Sequence, residues 1–111
     1  MLTNVASPEI SFVRLQGEFN ASNAAALQTQ LTSVVQSSIP STVLVDMENV
    51  NFLDSAGLMA LVSAMSLAHR LNRRFSLCGV SPSIRIIFEI TQLDRVFELF
   101  ETRAEFEAVL N

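Results

Sequence analysis

Apolar and polar positions change period several times along this chain, and each change marks an element. Ile10, Phe12 and Arg14 alternate with Ser11, Val13 and Leu15, the two-residue period of a strand, which Gly17 is expected to break. From Ser22 the period lengthens. Ala24, Leu27, Leu31, Val34 and Val35 recur at helical spacing as far as residue 36, with Ser22 as the expected N-cap. Residues 37–41, with Pro40 among them, read as a loop. "TVLVDM" at 42–47 is β-branched and almost continuously apolar, as in a strand covered on both faces. Residues 51–55 then read as the loop at that strand's C-terminal end. Leu58, Leu61, Val62, Met65 and Ala68 form one stripe over 56–71, the clearest helix in the chain. A second buried strand is expected over 75–80. In "SPSIRIIFEI" the isoleucines fit a strand, but Ser81 before Pro82 is an N-cap followed by proline at the first helical position, which predicts a helix over 82–91. A short strand over 96–100 follows. Thr102 with Glu105 then makes a capping box that opens a last helix ending at Leu110. Residues 2–5 are a candidate edge strand, turned by Ser7-Pro8.

Strands that alternate with helices in this way specify an α/β layer. The expectation is a four- to five-stranded, mostly parallel (mixed) sheet flanked by about four helices, with right-handed crossovers and function on the loops at the strand C-terminal ends. The 111 residues suit one domain, residues 1–111, long enough for a real core. With half the residues apolar and 16% charged, the chain should fold.

Composition and candidate chemistry then work mainly by exclusion. The net charge is −4 and no basic stripe exists, so no nucleic-acid partner is expected. The tightest basic cluster, Arg70, Arg73 and Arg74, should complement the dipole at the C-terminus of the 56–71 helix. A single cysteine rules out a disulfide within the chain, and its neighbours Phe75, Leu77 and Val80 place Cys78 in a buried strand. The first ten residues lack a basic start and an apolar centre, and the run 57–68 is too short to span a bilayer. No membrane association and a cytoplasmic location are therefore expected. Metal-ligand spacing is missing, and the three glycines, Gly17, Gly57 and Gly79, lie too far apart for a phosphate-cradling loop, so no cofactor is expected. Nor is catalysis. Ser55 has no glycine two residues before it, as a nucleophile elbow needs. One helix separates it from His69, the only histidine, by about 20 Å. A Cys78–His69 pair is better read as two structural residues. Asp46 ends a buried strand as a loop anchor, and Glu18 and Asn20 look like turn residues.

One stretch resists a purely structural account: "VNFLDSAGLMALV" at 50–62, where a polar Asp54-Ser55 sits between an apolar strand and an apolar helix. Asp54 or Ser55 can simply be the N-cap, with Gly57 allowing close packing. Alternatively Ser55 presents an exposed hydroxyl, and a phosphate placed there would meet unpaired helix N–H groups and the positive end of the dipole. The two readings are compatible, with Asp54 capping and Ser55 facing out. Met59, one turn on, would lie on the same face, and Ser63, Ser66 and Arg70 continue it.

These residues, in this order, resemble a single STAS domain of the anti-sigma-factor antagonist type. The likeness is carried by "VRLQGEFN" (13–20), "TVLVDMENVNFLDSAGLMALV" (42–62) and "FSLCGVSPSIRIIFEITQLDRVFEL" (75–99). The D-S-x-G-L core after a strand is its most specific part. The resemblance implies that Ser55 is phosphorylated by a partner serine kinase that is often itself the anti-sigma factor, and that a PP2C-type phosphatase reverses the mark. It implies that the unphosphorylated chain binds the kinase and is released on phosphorylation. Asp54, Ala56, Gly57, Leu58, Met59, Asn20 and Asp46 would belong to the motif and the partner-binding surface. Two positions depart from the family: Ala56 replaces a frequent second serine, and Asn20 replaces a frequent aspartate. The alternative is a structural STAS subunit of a larger signalling or transport complex.

Overall fold

The computed structural model describes residues 10–37 and 42–110. Strands β1 (Ile10–Phe19), β2 (Thr42–Leu53), β3 (Arg74–Cys78) and β4 (Glu98–Phe100) form one sheet in chain order, and every neighbouring pair is parallel. Between and after them come α1 (Ala24–Gln36), α2 (Ser55–Arg70), α3 (Pro82–Ile90) and α4 (Arg103–Leu110), with a 3-10 turn at Leu93–Arg95 ahead of β4.

Crossovers of one hand, each stepping to the next strand in the same direction, deliver their helices to the same face of the sheet. The side chains agree. Val13, Leu15, Val43, Val45, Phe75 and Leu77 share a core with Leu27, Leu31 and Val35 of α1, Leu58, Leu61 and Met65 of α2, and Ile84 and Phe88 of α3. The alternate strand residues Leu44, Cys78 and Phe100 turn to the other face, where Phe106 of α4 packs on them, edge-to-face with Phe100 at 5.2 Å. The two-sided burial anticipated from "TVLVDM" is thus real, and the α/β expectation holds. So does the helical reading of "SPSIRIIFEI": the Ser81 hydroxyl accepts from the Ile84 N–H at 3.4 Å, with Pro82 in the first turn.

Several boundaries differ from the sequence reading. Gly17 does not end β1; the strand passes through it, at a φ of +97° that only glycine adopts easily, and runs on to Phe19. β2 is correspondingly longer than its apolar run. Arg14 and Gln16 pair with Asp46 and Asn49, and Gly17 and Glu18 pair with Val50 and Phe52, so each step leaves one extra residue on β2, a pair of β-bulges. The apolar pattern fails after Met47 because β3 has ended: Cys78 pairs with Asp46. Beyond that point only the helix-facing Val50 and Leu53 stay buried, while Glu48, Asn49, Asn51 and Phe52 are exposed. Residues 51–53 are therefore strand and not loop, Asp46 lies within β2 and does not end it, and Glu18 belongs to β1 and not to a turn.

Ser22 is not an N-cap. α1 begins two residues later, after a turn in which the Asn20 carbonyl accepts from the Asn23 and Ala24 N–H groups at 3.1 and 2.8 Å. Of the three clustered arginines, only Arg70 sits with His69 in the last turn of α2. The Arg73 guanidinium donates to the carbonyls of Val35 and Ser37, closing the end of α1 instead. Arg74 lies in β3 and forks onto the Glu98 carboxylate at 2.7 and 2.6 Å. At α4 the Glu105 N–H donates to Thr102 Oγ1 at 3.1 Å, but the Glu105 carboxylate accepts from the Glu101 N–H at 3.0 Å, one residue earlier than a capping box requires. The candidate strand at 2–5 and most of the 37–41 loop lie outside the described residues. Among the described residues no helix is long and apolar enough to cross a membrane.

Candidate functional site

The end of β2 and the start of α2 meet at a single residue, Asp54, whose extended backbone (φ −96°, ψ −174°) turns strand into helix. Its carboxylate does two jobs. Oδ1 accepts from the Gly57 N–H at 3.0 Å, an N-cap of the usual kind. Oδ2 accepts from the Ala21 N–H at 3.2 Å, across 33 residues of sequence. The Asp54 N–H in turn donates to the Phe19 carbonyl at 3.1 Å. The end of β1, the turn at residues 20–23 and the first turn of α2 are therefore one connected unit.

Gly57 closes the same seam sterically. A Cβ there would stand 2.9 Å from the Phe19 carbonyl oxygen and 2.8 Å from Leu53 Cδ1, so the helix can sit this low on β1 only with glycine. Since Asp54 supplies the cap, capping α2 does not require the Ser55 hydroxyl. Ser55 is the first residue of α2, it is exposed, and its side chain projects where the helix presents unpaired N–H groups. Ala56 is half-buried, Gly57 and Leu58 are buried, and Met59 is 56% exposed. Leu58 thus belongs to the core beneath the helix and supports the surface from below. Ser66 and Arg70 are exposed further along the Ser55–Met59 side, and Ser63 is half-buried.

Asn20 comes close to this site through the turn it organises. Its Oδ1 accepts from both the N–H and the hydroxyl of Ser22, and its own N–H donates to Asn23 Oδ1 at 2.9 Å. Asp46 does not come close. It lies eight residues before Asp54 along β2, up to about 26 Å away at strand rise, and it faces the α4 side. There it accepts from Arg14 at 3.4 Å and from the Glu48 N–H at 2.9 Å. It helps to line a cavity of about 140 Å³ with Glu48, Cys78, Gly79, Glu101, Thr102 and Arg103. The Cys78 thiol in that cavity is pushed up to about 11, first by burial and then by the nearby Asp46 carboxylate, so at neutral pH it stays protonated and a poor nucleophile. His69, exposed in the last turn of α2, is on the opposite side of the sheet from it.

A second, wide concavity of about 620 Å³ lies over Gln16, Gly17, Glu48, Asn49 and Asn51. Ser55 lines neither hollow. Its surroundings form an outward-facing surface of small residues and one methionine, which suits a protein partner better than a small substrate. Among the described residues no group of three or more His, Cys, Asp and Glu side chains is placed to hold a metal ion. The sequence points to Ser22 only as a helix cap and to Ala21 not at all, yet both are exposed in the turn that Asp54 holds. The Asn20–Asn23 spacing, typical of an Asx-stabilised turn, was the signal that could have found them.

Comparison with known proteins places the fold. A family model described as the STAS domain matches residues 2–106. The anti-sigma-B factor antagonist of Staphylococcus aureus is 29% identical over 89 residues, which span 80% of this chain and 82% of that protein. The crystal structure of an anti-sigma factor antagonist from Mycobacterium paratuberculosis superposes with a TM-score of 0.81 at 28% identity, covering 91% of this chain and 85% of that one. The Bacillus cell fate determinant SpoIIAA, solved in its phosphorylated form, shares the fold at a TM-score of 0.71 and 20% identity, covering 96% of each chain.

Proposed function

This chain belongs to the STAS domain family, and from that premise we propose that it is an anti-sigma-factor-antagonist-like binding module switched by phosphate on Ser55. In this reading the unphosphorylated chain binds a serine kinase that doubles as an anti-sigma factor. Phosphorylation of Ser55 releases it, and a PP2C-type phosphatase resets it. The chain receives chemistry done by other proteins and performs none of its own. The observation that carries the reading is the division of labour at the head of α2: Asp54 takes the cap, which leaves the Ser55 hydroxyl exposed and free to be modified.

The electrostatics support a release mechanism that leaves the fold intact. A phosphate on Ser55 adds about −1.5 to −2 charges at pH 7. Helix N–H groups and the dipole can accommodate it locally. A partner surface fitted to a neutral hydroxyl and to Met59 would have to bury that charge unpaired, and this is costly. The decisive experiment starts from an extract fraction that phosphorylates the chain with ATP. The kinase is purified on that activity and the phosphate is mapped by mass spectrometry. Modification at Ser55 is the expected result; stoichiometric modification at Ser63, Ser66 or Ser83 with none at Ser55 would overturn the reading.

A further inference from the structure

An N-cap needs only one carboxylate oxygen, and Asp54 uses both. The second oxygen reaches out of the helix to the Ala21 N–H, and nothing about capping α2 requires that bond. The turn it holds is already closed by its own contacts, in which Asn20 binds Ser22 and Asn23 binds both the Asn20 N–H and, through Nδ2, the Glu18 carbonyl at 2.8 Å. What the Asp54–Ala21 bond adds is position: it fixes the turn against the first turn of α2. Gly57 independently brings that same helix turn down onto Phe19, where the 20–23 turn begins. With the backbone bond from the Asp54 N–H to the Phe19 carbonyl, three contacts thus hold one seam, and the exposed residues on either side of it are Ala21 and Ser22 on one bank and Ser55 on the other.

We propose that Asp54 is the positioning residue of the switch, holding Ala21 and Ser22 beside Ser55 so that the kinase reads both banks of the seam as one surface. This rests on the function proposed above and specifies the partner's footprint. All three side chains are small and uncharged, so the fitting partner is a flat kinase rim that approaches closely at backbone level and tolerates no bulk at residues 21 and 22.

The test separates the cap from the positioning bond. Asp54→Ser keeps a good N-cap but has only one oxygen and too short a reach for Ala21. By hydrogen exchange on the chain alone, the Ala21 amide should lose protection about ten-fold or more in Asp54→Ser, the scale of one charge-assisted hydrogen bond. The Leu58 amide, which donates to the Asp54 backbone carbonyl that the substitution leaves in place, should keep its protection. Unchanged protection at Ala21 would overturn the positioning role. With the purified kinase, Ala21→Arg and Ser22→Arg should raise KM for Ser55 phosphorylation about ten-fold or more at nearly constant kcat, with melting temperatures close to wild type, because bulk at a contact surface weakens binding and not chemistry. Asp54→Ser should move KM in the same direction, whereas a purely structural residue would move only the melting temperature. If both arginine variants are phosphorylated with the wild-type KM while wild type is modified at Ser55, the two-bank surface is wrong and the switch itself stands. If wild type takes no phosphate at Ser55, the switch falls and this inference with it.

Discussion

At the scale of single residues the head of α2 holds opposite demands two positions apart, at Ser55 and Gly57, which single substitutions can separate. Ser55 should tolerate change in the fold but not in the partner. Ser55→Asp should keep its circular dichroism spectrum and nearly its melting temperature, since a carboxylate is welcome at a helix N-terminus. It should lose kinase affinity by about 3 kcal/mol or more, a factor of about a hundred, if the new charge is buried unpaired. Ser55→Ala should bind, and persistently. Calorimetric titration beside thermal melts checks both; wild-type affinity in Ser55→Asp, or a loss explained by unfolding, defeats the local-charge mechanism. Gly57 should behave in the reverse sense. In an exposed helix, Gly→Ala gains about 1 kcal/mol. Here the added methyl meets the Phe19 carbonyl oxygen at 2.9 Å, and backbone cannot move aside as a flexible side chain can. Overpacking of about 1–3 kcal/mol should win, so Gly57→Ala should melt lower by several degrees. The Asp54-Ser55-x-Gly57 spacing was visible in the sequence, and so was the sharing of roles between cap and exposed hydroxyl. The second bond of Asp54 was not, because its partner is 33 residues away and no local pattern encodes a long-range hydrogen bond.

At the scale of elements, hydrophobic pattern located the first two strands and helices, cap residues located α3 and α4, and several ends were misplaced for identifiable reasons. β2 outruns its apolar stretch because burial there becomes one-sided once β3 stops, so Asn49 and Asn51 look like loop although they pair with β1 or bulge from it. Ser22 looks like a cap because it has a cap's chemistry, but Asn20 claims its hydroxyl first. Arg73 looks like a dipole partner of its own helix, whereas the fold places it at the end of a different one. That last finding yields a prediction. Arg73→Ala should strip the closing donors from the α1 terminus and lower stability by about 1–3 kcal/mol, the penalty for leaving carbonyls unsatisfied and a charged hydrogen bond unmade. Exchange protection should fall most in the last turn of α1, as native-state hydrogen exchange can show. On α2, Met59→Glu should weaken kinase binding without unfolding the chain, because Met59 is more than half exposed and lies one turn from Ser55. An unchanged affinity in titration would remove Met59 from the contact surface.

At the scale of the whole molecule, the sheet is tied at its far edge by charge as well as by hydrogen-bonded backbone. The Arg74 guanidinium, with help from the Ser76 hydroxyl, holds the Glu98 carboxyl below its ordinary value of 4.5 between β3 and β4. A carboxyl depressed by folding stabilises the native state above its unfolded value, and that stability drains away as pH falls through the folded one. Wild type should therefore lose stability on acidification below about pH 4.5 faster than Glu98→Gln, a contrast that denaturant melts along a pH series will show. Its size is reduced by solvent, since the Glu98 side chain is 41% exposed. The strand order carries a different kind of consequence, for the chain as it leaves the ribosome. Because β1 to β4 are laid side by side in the order of synthesis, each new strand finds its neighbour already made, and the helix-facing core can close step by step. The other face cannot. Leu44, Cys78 and Phe100 wait for Phe106 of α4, which follows all four strands. A nascent chain halted after β4 would thus display a sheet with a greasy back, a target for chaperones and for its own copies. A variant truncated after residue 101 should bind the dye ANS and aggregate at concentrations where the full chain stays clear.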